Sequence, residues 1–463
     1  MPRCFTIPMT LIGVMAILSS AAESYTREDV IRIALEKSSD VQTAEQEYIT
    51  ANSTVNGAYG NAFPSIDLSA QYARTFGVSD VNQSDAISSM LDNTADMNDR
   101  MLAGTLDKMA YGLSALNGFR WGTQVGLTAT QILYAQGKVS SGVQIARSYR
   151  RVAEYSLENA KVLVRYTAET AFNSVLYLDS AVAIYEASLN QAQKHFDYAK
   201  QAYESGLVGE LDLIRAELQI DELQSGLEKT KKDQILARNA LLNTMGLPWQ
   251  EDVAFTGDLR DPASSTLAEP DTALKNVLAR RKEILQLNES ENMQNLNIHI
   301  EQGDYKPSLI LGGSIAYANG ANRWNSWEKP DWDKNIDKKV YLALTMNLFN
   351  GMQTKEKVVQ AKSSLRKTQI QKETAERGIQ LEVESCVNTW ENAKRQIEIR
   401  KRQVSLAERN LELSEAAYSV GKIPQLDLLD ANMSLRNAKL DYMSSMVDWN
   451  NAYSALLKAT GEY

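Results

Sequence analysis

Apolar positions along the chain follow two alternating rhythms. From Thr26 to about Tyr59, Val30, Ile33, Ala34, Val41, Ala44, Tyr48 and Ile49 recur at three- and four-residue steps. This spacing predicts a helix, with Thr26 and Glu28 at its start and Phe63-Pro64 closing it. At Ile66 the period drops to two: Ile66, Leu68, Ala70, Tyr72 and Phe76 face one way and Asp67, Ser69, Gln71 and Thr75 the other. That is a strand with one apolar and one polar face. Thr123, Val125, Leu127 and Ala129 against Gln124, Gly126 and Thr128 predict a second strand, ending at Leu133-Tyr134 and Gly137. The second half keeps the same order. A helical stretch from about Asp271 to Glu301 leads to Lys306-Pro307. Leu309, Leu311, Ile315 and Tyr317 mark a third strand; Val340, Leu342, Leu344, Met346 and Leu348 mark a fourth, closing at Phe349-Asn350-Gly351.

Between Gly137 and Gly206, and again between Gly351 and Gly421, there is no proline and only Gly142 and Gly378 interrupt. Each stretch therefore predicts a helix of about 68 residues, roughly 100 Å long at 1.5 Å per residue. Helices of that length need partners along them. Val152, Tyr155, Leu157, Val162, Leu163, Tyr166, Ala168, Ala171 and Phe172 supply a coiled-coil-like seam short of a strict heptad. Both stretches end in the same hairpin, Ala202-Tyr203-Glu204-Ser205-Gly206 with Leu211-Asp212-Leu213, and Ala417-Tyr418-Ser419-Val420-Gly421 with Leu426-Asp427-Leu428-Leu429-Asp430-Ala431. The offset is 215 residues, and it also carries Ala240-Leu241-Leu242 onto Ala455-Leu456-Leu457 and Gly246 onto Gly461. The hairpin-turn glycines Gly206 and Gly421 stand where a helix needs a left-handed residue to stop, and Pro424 suits the first turn of the next helix. The fold class is thus mainly α with a small β part, built as a duplicated helix, strand, strand, long helical hairpin. Its expected boundaries are 23–248 for the first repeat, 249–270 for a linker and 271–463 for the second repeat.

Charge and composition narrow the function. A net charge of −9 gives no electrostatic reason for a nucleic-acid partner. No internal run of 18 apolar residues offers a membrane helix. Arg3, the apolar run Phe5 to Leu18 and Ser20-Ala21-Ala22 read as a secretory signal over residues 1–22. Cys4 precedes that apolar run, so the exported chain keeps only Cys386, which cannot form an internal disulfide and reads as a small buried apolar group. His195 and His299, the only histidines, lie on separate predicted helices as helix-surface residues, and no phosphate loop or serine elbow occurs. The chain reads as no enzyme, with no cofactor and no metal. The loop 78–118 carries Met90, Met97, Met101 and Met109, which read as packing groups because no His or Cys accompanies them. The loop 319–338 carries Trp324, Trp327 and Trp332, which suit either an interfacial aromatic girdle or ordinary loop packing.

Strands of about ten residues are the length that crosses an outer membrane at a tilt. Four such strands cannot close a barrel, and an open sheet in lipid leaves two edges of unsatisfied backbone. The strands must be shared between copies, and three copies supply twelve. At this point the sequence resembles the TolC family of outer-membrane efflux proteins (outer membrane factors). The resemblance rests on the doubled hairpin, Pro64 and Pro307 before strands, and Gly137 and Gly351 at strand ends. It implies a homotrimer whose 12-stranded outer-membrane β-barrel continues into a periplasmic α-helical barrel. It further implies an exit duct of a tripartite efflux or type I secretion system, opened when a periplasmic adaptor (membrane fusion protein) and an inner-membrane transporter dock. By the same resemblance Asp427 and Asp430 form the channel constriction, and Asp212, Tyr418 and Lys422 the tip latch. Ile423 stands where the family has a latch arginine, with Lys422 beside it. A periplasmic coiled-coil adaptor or scaffold without a pore is the alternative, distinguished by the four alternating strands.

Overall fold

A computed structural model describes residues 24–74, 76, 121–206, 208–250, 253–261, 270–321 and 336–463. The signal stretch 1–22, the methionine-bearing loop, Trp324, Trp327, Trp332 and part of the stretch 249–270 lie outside the described residues. In chain order the elements are β1 (Ser24–Tyr25), α1 (Arg27–Lys37), α2 (Ser39–Gly60), β2 (Ser65–Arg74), β3 (Trp121–Tyr134), α3 (Lys138–Glu204) and α4 (Glu210–Thr244). There follow β4 (Ala254–Phe255), α5 (Leu274–Arg280), α6 (Lys282–Gly303), β5 (Ser308–Ala321), β6 (Ile336–Thr345), α7 (Gln353–Ser419) and α8 (Gln425–Thr460). The two long helices are 67 residues each and start 215 residues apart, as do α4 and α8.

Two differences from the sequence reading are local. The predicted helix over 26–59 breaks at Ser38, whose backbone is extended (ψ 135°) and whose hydroxyl accepts from the Asp40 amide at 3.3 Å. Arg281 (ψ 120°) breaks the helix predicted over 271–301 in the same way. In both places the next helix starts at once, so the apolar rhythm continues across the break. Thr26 does cap α1: its hydroxyl accepts from the Asp29 amide and Asp29 reaches back to the Thr26 amide, a capping box that satisfies two helix-end donors.

The chain forms two compact units, each drawing on both halves of the sequence. The first comprises residues 1–49, 152–288 and 370–463. Its main core gathers Val30 and Ala34 of α1, Val41 of α2, Val164, Ala168, Phe172 and Val175 of α3, Leu241 and Leu242 of α4, Met245, Val253, and Phe255 of β4. Phe172 is fully buried and meets Phe255 edge-to-face, with the Arg27 guanidinium 5.2 Å from its centroid. Thus the stretch expected as a linker contributes core residues, and β4 pairs in parallel with β1. Asn450 of α8 also brackets Arg260, accepting from its amide at 3.2 Å and donating to its carbonyl at 3.1 Å. Beside this core lies a buried polar network. Glu169, 2% exposed, accepts from Ser454 (2.7 Å) and Tyr463 (2.8 Å), while Asn173 joins Arg27 to Asn451. Burial holds the Tyr463 hydroxyl well above its ordinary range, so it stays a donor. Cys386 is partly buried against the Val277, Ile284 and Ile379 cluster.

The second unit comprises residues 50–151 and 289–369. It contains an antiparallel sheet in the order β2-β3-β5-β6. Arg151 of α3 grips Glu289 of α6 through two 2.6 Å bonds, which depress the Glu289 carboxyl, and the Gln136 side chain donates to the Pro307 carbonyl at 2.8 Å. The Gln136 bond ties the joint between β3 and α3 to that between α6 and β5, and the Arg151–Glu289 pair joins α3 to α6 farther along both helices. Each strand-to-helix joint turns through two successive left-handed residues: Gln136 and Gly137 in the first copy, Gly351 and Met352 in the second. The 215-residue shift pairs Gln136 with Gly351 and Gly137 with Met352, so the glycine has changed places within the pair. Met352 bears a Cβ in a conformation that costs an L-residue about 1–2 kcal/mol. Met352→Gly should therefore raise stability by about 0.5–1 kcal/mol, whereas Gly351→Ala should lower it by about 1–2 kcal/mol. Denaturant midpoints of the two variants in one detergent should move in opposite directions; movement in the same direction would contradict this.

Candidate functional site

The β2–β3–β5–β6 sheet separates apolar from polar side chains across its whole width. Ile66, Leu68 and Ala70 lie opposite Ala129, Leu127 and Val125. Val125 and Leu127 lie opposite Tyr317 and Ile315, and Leu309 and Leu311 opposite Leu344 and Leu342. Directly paired residues share a face, so one apolar surface crosses all four strands. In the single chain it is open: Leu68 is 74% and Val340 84% exposed. On the other face Asp67, Ser69 and Gln71 pair with Thr128, Gly126 and Gln124, and Ser314 pairs with Lys339. Gly312 sits there under the Tyr341 ring, where an added Cβ would collide with the ring. Among the described residues no helix is long and apolar enough to cross a membrane. The outer strands of the sheet, β2 and β6, each have one free edge among the described residues.

The sheet has two chemically different ends. At one end the strands join helices at Ser65, Tyr134, Ser308 and Thr345. At the other, on the apolar face, Tyr72 stacks on Trp121 at 5.5 Å, and Arg74 lies 4.7 Å from the Trp121 centroid and 4.6 Å from that of Phe76.

The sequence-predicted tip residues all fall in the first unit. Gly206 and Gly421 have φ of 71° and 72° and end α3 and α7. At the second turn the Gly421 amide bonds the Tyr418 carbonyl and the Lys422 amide the Ala417 carbonyl, both at 2.9 Å, satisfying carbonyls that the helix end would otherwise orphan. Pro424 is the residue just before α8 rather than inside its first turn. Asp427 and Asp430 lie one turn apart on the exposed side of α8, while Leu428 and Ala431 between and beside them pack on Leu411 of α7. The Lys422 side chain makes no ion pair among the described residues. Asp212 pairs with Arg215 at 3.6 Å. Asp212 and Tyr418 line one groove of about 920 Å³ between the two hairpins, but no hydrogen bond joins them. Burial first, and the Asp212 charge second, push the Tyr418 hydroxyl up.

The sequence reading missed two polar residues of this groove. His195 is half-buried rather than on the helix surface, and its Nε2 has no hydrogen-bond partner among the described residues. Gln425 is buried with Oε1 likewise unpartnered. The helical period alone places His195 on the same side as Gln191 and Tyr198, and only the second hairpin packed against that side buries it. Polar contacts span the hairpins nearby: Gln191 donates to Glu415 at 2.8 Å, and Arg436 stands 3.7 Å from Glu222. Burial lowers the His195 pKa below 6.5, with Glu415 opposing it. A depressed base favours the packed state only while neutral. The packing should therefore hold fully above pH about 6.5 and weaken as pH falls through the folded value. Amide exchange at the hairpin tips should speed up between pH 7 and 5 in the parent, after correction for the intrinsic rate, and less so in His195→Gln. An equal pH response in both would contradict this account.

Comparison with known proteins agrees with this geometry. The family model described as outer membrane efflux protein matches residues 30–247 and 273–462. The outer membrane protein TolC of Vibrio cholerae serotype O1 is 22% identical over 345 residues, which is 72% of this chain and 76% of that one. The Campylobacter jejuni CmeC outer membrane channel shares the fold with a TM-score of 0.73 at 16% identity, over 99% of this chain and 94% of that one. The open-state Neisseria gonorrhoeae MtrE outer membrane channel does so with a TM-score of 0.71 at 19% identity, over 94% and 88% of the two chains. The family model takes in both halves of the chain, from α1 to the end of α8, and the chain belongs to the outer membrane efflux protein family.

Proposed function

We propose that three copies of this chain form the exit duct of an efflux or secretion assembly, a passive channel without catalysis. The observation that carries this reading is the four-stranded sheet with a continuous apolar face and two unpaired edges. In hydrocarbon each unsatisfied backbone group costs several kcal/mol, so β6 of one copy pairs with β2 of the next and twelve strands close. The polar face of Asp67, Gln71, Gln124 and Lys339 then lines a wet lumen. The helical part lies in the periplasm, where an adaptor and an inner-membrane transporter dock. The repeats 23–248 and 271–463, joined through 249–270, each supply one strand pair and one hairpin to the duct.

In this reading the hairpin tips form the gate. Asp427 and Asp430 from three copies give six carboxylates about one axis, a ring that holds cations and resists anions. Their exposure in the single chain, with Leu428 turned inward to the packed side, leaves both free to face an axis. Asp212, Tyr418 and Lys422 act as the latch, with the hairpins held in register by the turns at Gly206 and Gly421. The lack of a Tyr418–Asp212 hydrogen bond fits a latch that relies on packing in the groove more than on that contact.

Reconstituted in a planar bilayer, the Asp427→Ala, Asp430→Ala double variant should leak more and lose block by added multivalent cations, by tenfold or more. Unchanged conductance and block would remove the ring from this position. A chain released from cells by osmotic shock alone would support the adaptor alternative in place of the duct.

A further inference from the structure

We propose that Arg74, together with Lys338 of the neighbouring copy, holds the phosphates of lipid A at the outer rim of the barrel. The inference rests on the duct reading, because it needs the apolar face to meet lipid. Within that reading the strand ends joined to helices face the periplasm, so the end bearing Arg74 and Trp121 lies at the outer leaflet. Arg74 is on the lipid side: it continues the series Ile66, Leu68, Ala70 and Tyr72, and it pairs directly with Trp121. A guanidinium at that position must be matched by an anion or be drawn out to water.

The local geometry argues for an anion. Trp121 and Phe76 lie 4.7 and 4.6 Å from the guanidinium carbon, and Tyr72 stacks against Trp121, so the rings fix the cation's place. Ring contacts of this kind use none of the guanidinium N–H donors. Among the described residues no carboxylate or carbonyl accepts from Arg74; the strand acids Asp67 and Asp337 are both on the opposite face. A planar cation held in this way presents a fork that matches two phosphate oxygens. Lys338, opposite Ile315, brings a second cation onto the same apolar face near the loop end of β6. Lys339 is turned to the polar face and is paired to Asp337 at 2.6 Å, so it does not compete. Closure places β6 beside β2 of the next copy, which puts Lys338 and Arg74 on adjacent strands. Two cations on neighbouring strands suit a headgroup with two phosphates better than one with a single phosphodiester.

Native mass spectrometry of the detergent-solubilised full assembly, titrated with bisphosphorylated lipid A, phosphatidylglycerol or inorganic phosphate, tests this. The parent should retain lipid A about tenfold more tightly than Arg74→Gln, in line with loss of a charge-assisted hydrogen bond. Lys338→Gln should lose a smaller factor, and Arg74→Lys should be intermediate. Monophosphoryl lipid A should bind the parent about as Lys338→Gln binds the bisphosphorylated form. Equal lipid A retention by the parent and Arg74→Gln would overturn the site. Phosphatidylglycerol bound as tightly as lipid A would overturn the choice of lipid, and binding of inorganic phosphate alone would overturn a lipid source. The number of chains in the same spectra reports on the duct separately: a three-copy assembly with no lipid preference defeats only the rim site.

Discussion

The backbone groups along two strand edges set the constraint on which the rest of the molecule depends. A side-chain pattern that puts Leu68, Val340, Leu342 and Leu344 on an exposed face commits the sheet to an apolar solvent. That same solvent cannot satisfy the outward N–H and C=O groups of β2 and β6. Within one chain nothing described covers those edges. On the proposed reading the sheet is incomplete as a single copy, and assembly follows from the same chemistry that suits its apolar face to lipid. Small and polar residues on the second face, such as Gly126, Ser314 and Ala316, leave it with little bulk, and Tyr341 lies over Gly312 there.

Packing in the helical unit is uneven in a way that suits a gate. Near α1 and the ends of α4 and α8, Phe172, Leu241, Leu242 and Leu456 are buried almost completely, and Glu169 accepts from both Ser454 and Tyr463. Toward the turns the core thins to Leu411, Leu428 and Ala431, with Tyr418 and Leu435 beside them. A groove opens there, and two of its buried polar atoms, His195 Nε2 and Gln425 Oε1, have no hydrogen-bond partner among the described residues. Regions with little buried apolar surface open at low free-energy cost. The firm root and the loose tip are thus consequences of where the large side chains stand.

Much of this was legible in the sequence because the signals were long. The period-two runs identified all four membrane strands, and their faces match the register observed. Two stretches without proline, each bounded by glycine, gave helices within a residue or two of the 67 found. Short features escaped. The breaks at Ser38 and Arg281 carry no glycine or proline, since each is one extended residue between helices that share a rhythm. The β1–β4 pair is two residues long and has no period to read. Gly137 and Gly351 were legible as strand ends, but not that each shares its turn with a second left-handed residue, Gln136 or Met352, since neither is glycine. The burial of His195 comes from a hairpin more than 200 residues away in sequence, beyond any local pattern.

The most direct test of the central claim is the number of chains in the particle extracted from membranes with mild detergent, measured as its native mass. Three chains, with no stable water-soluble single copy, is the result that paired strand edges require. A single folded chain that stays in solution without detergent, its β2 and β6 edges satisfied within itself, would contradict the account.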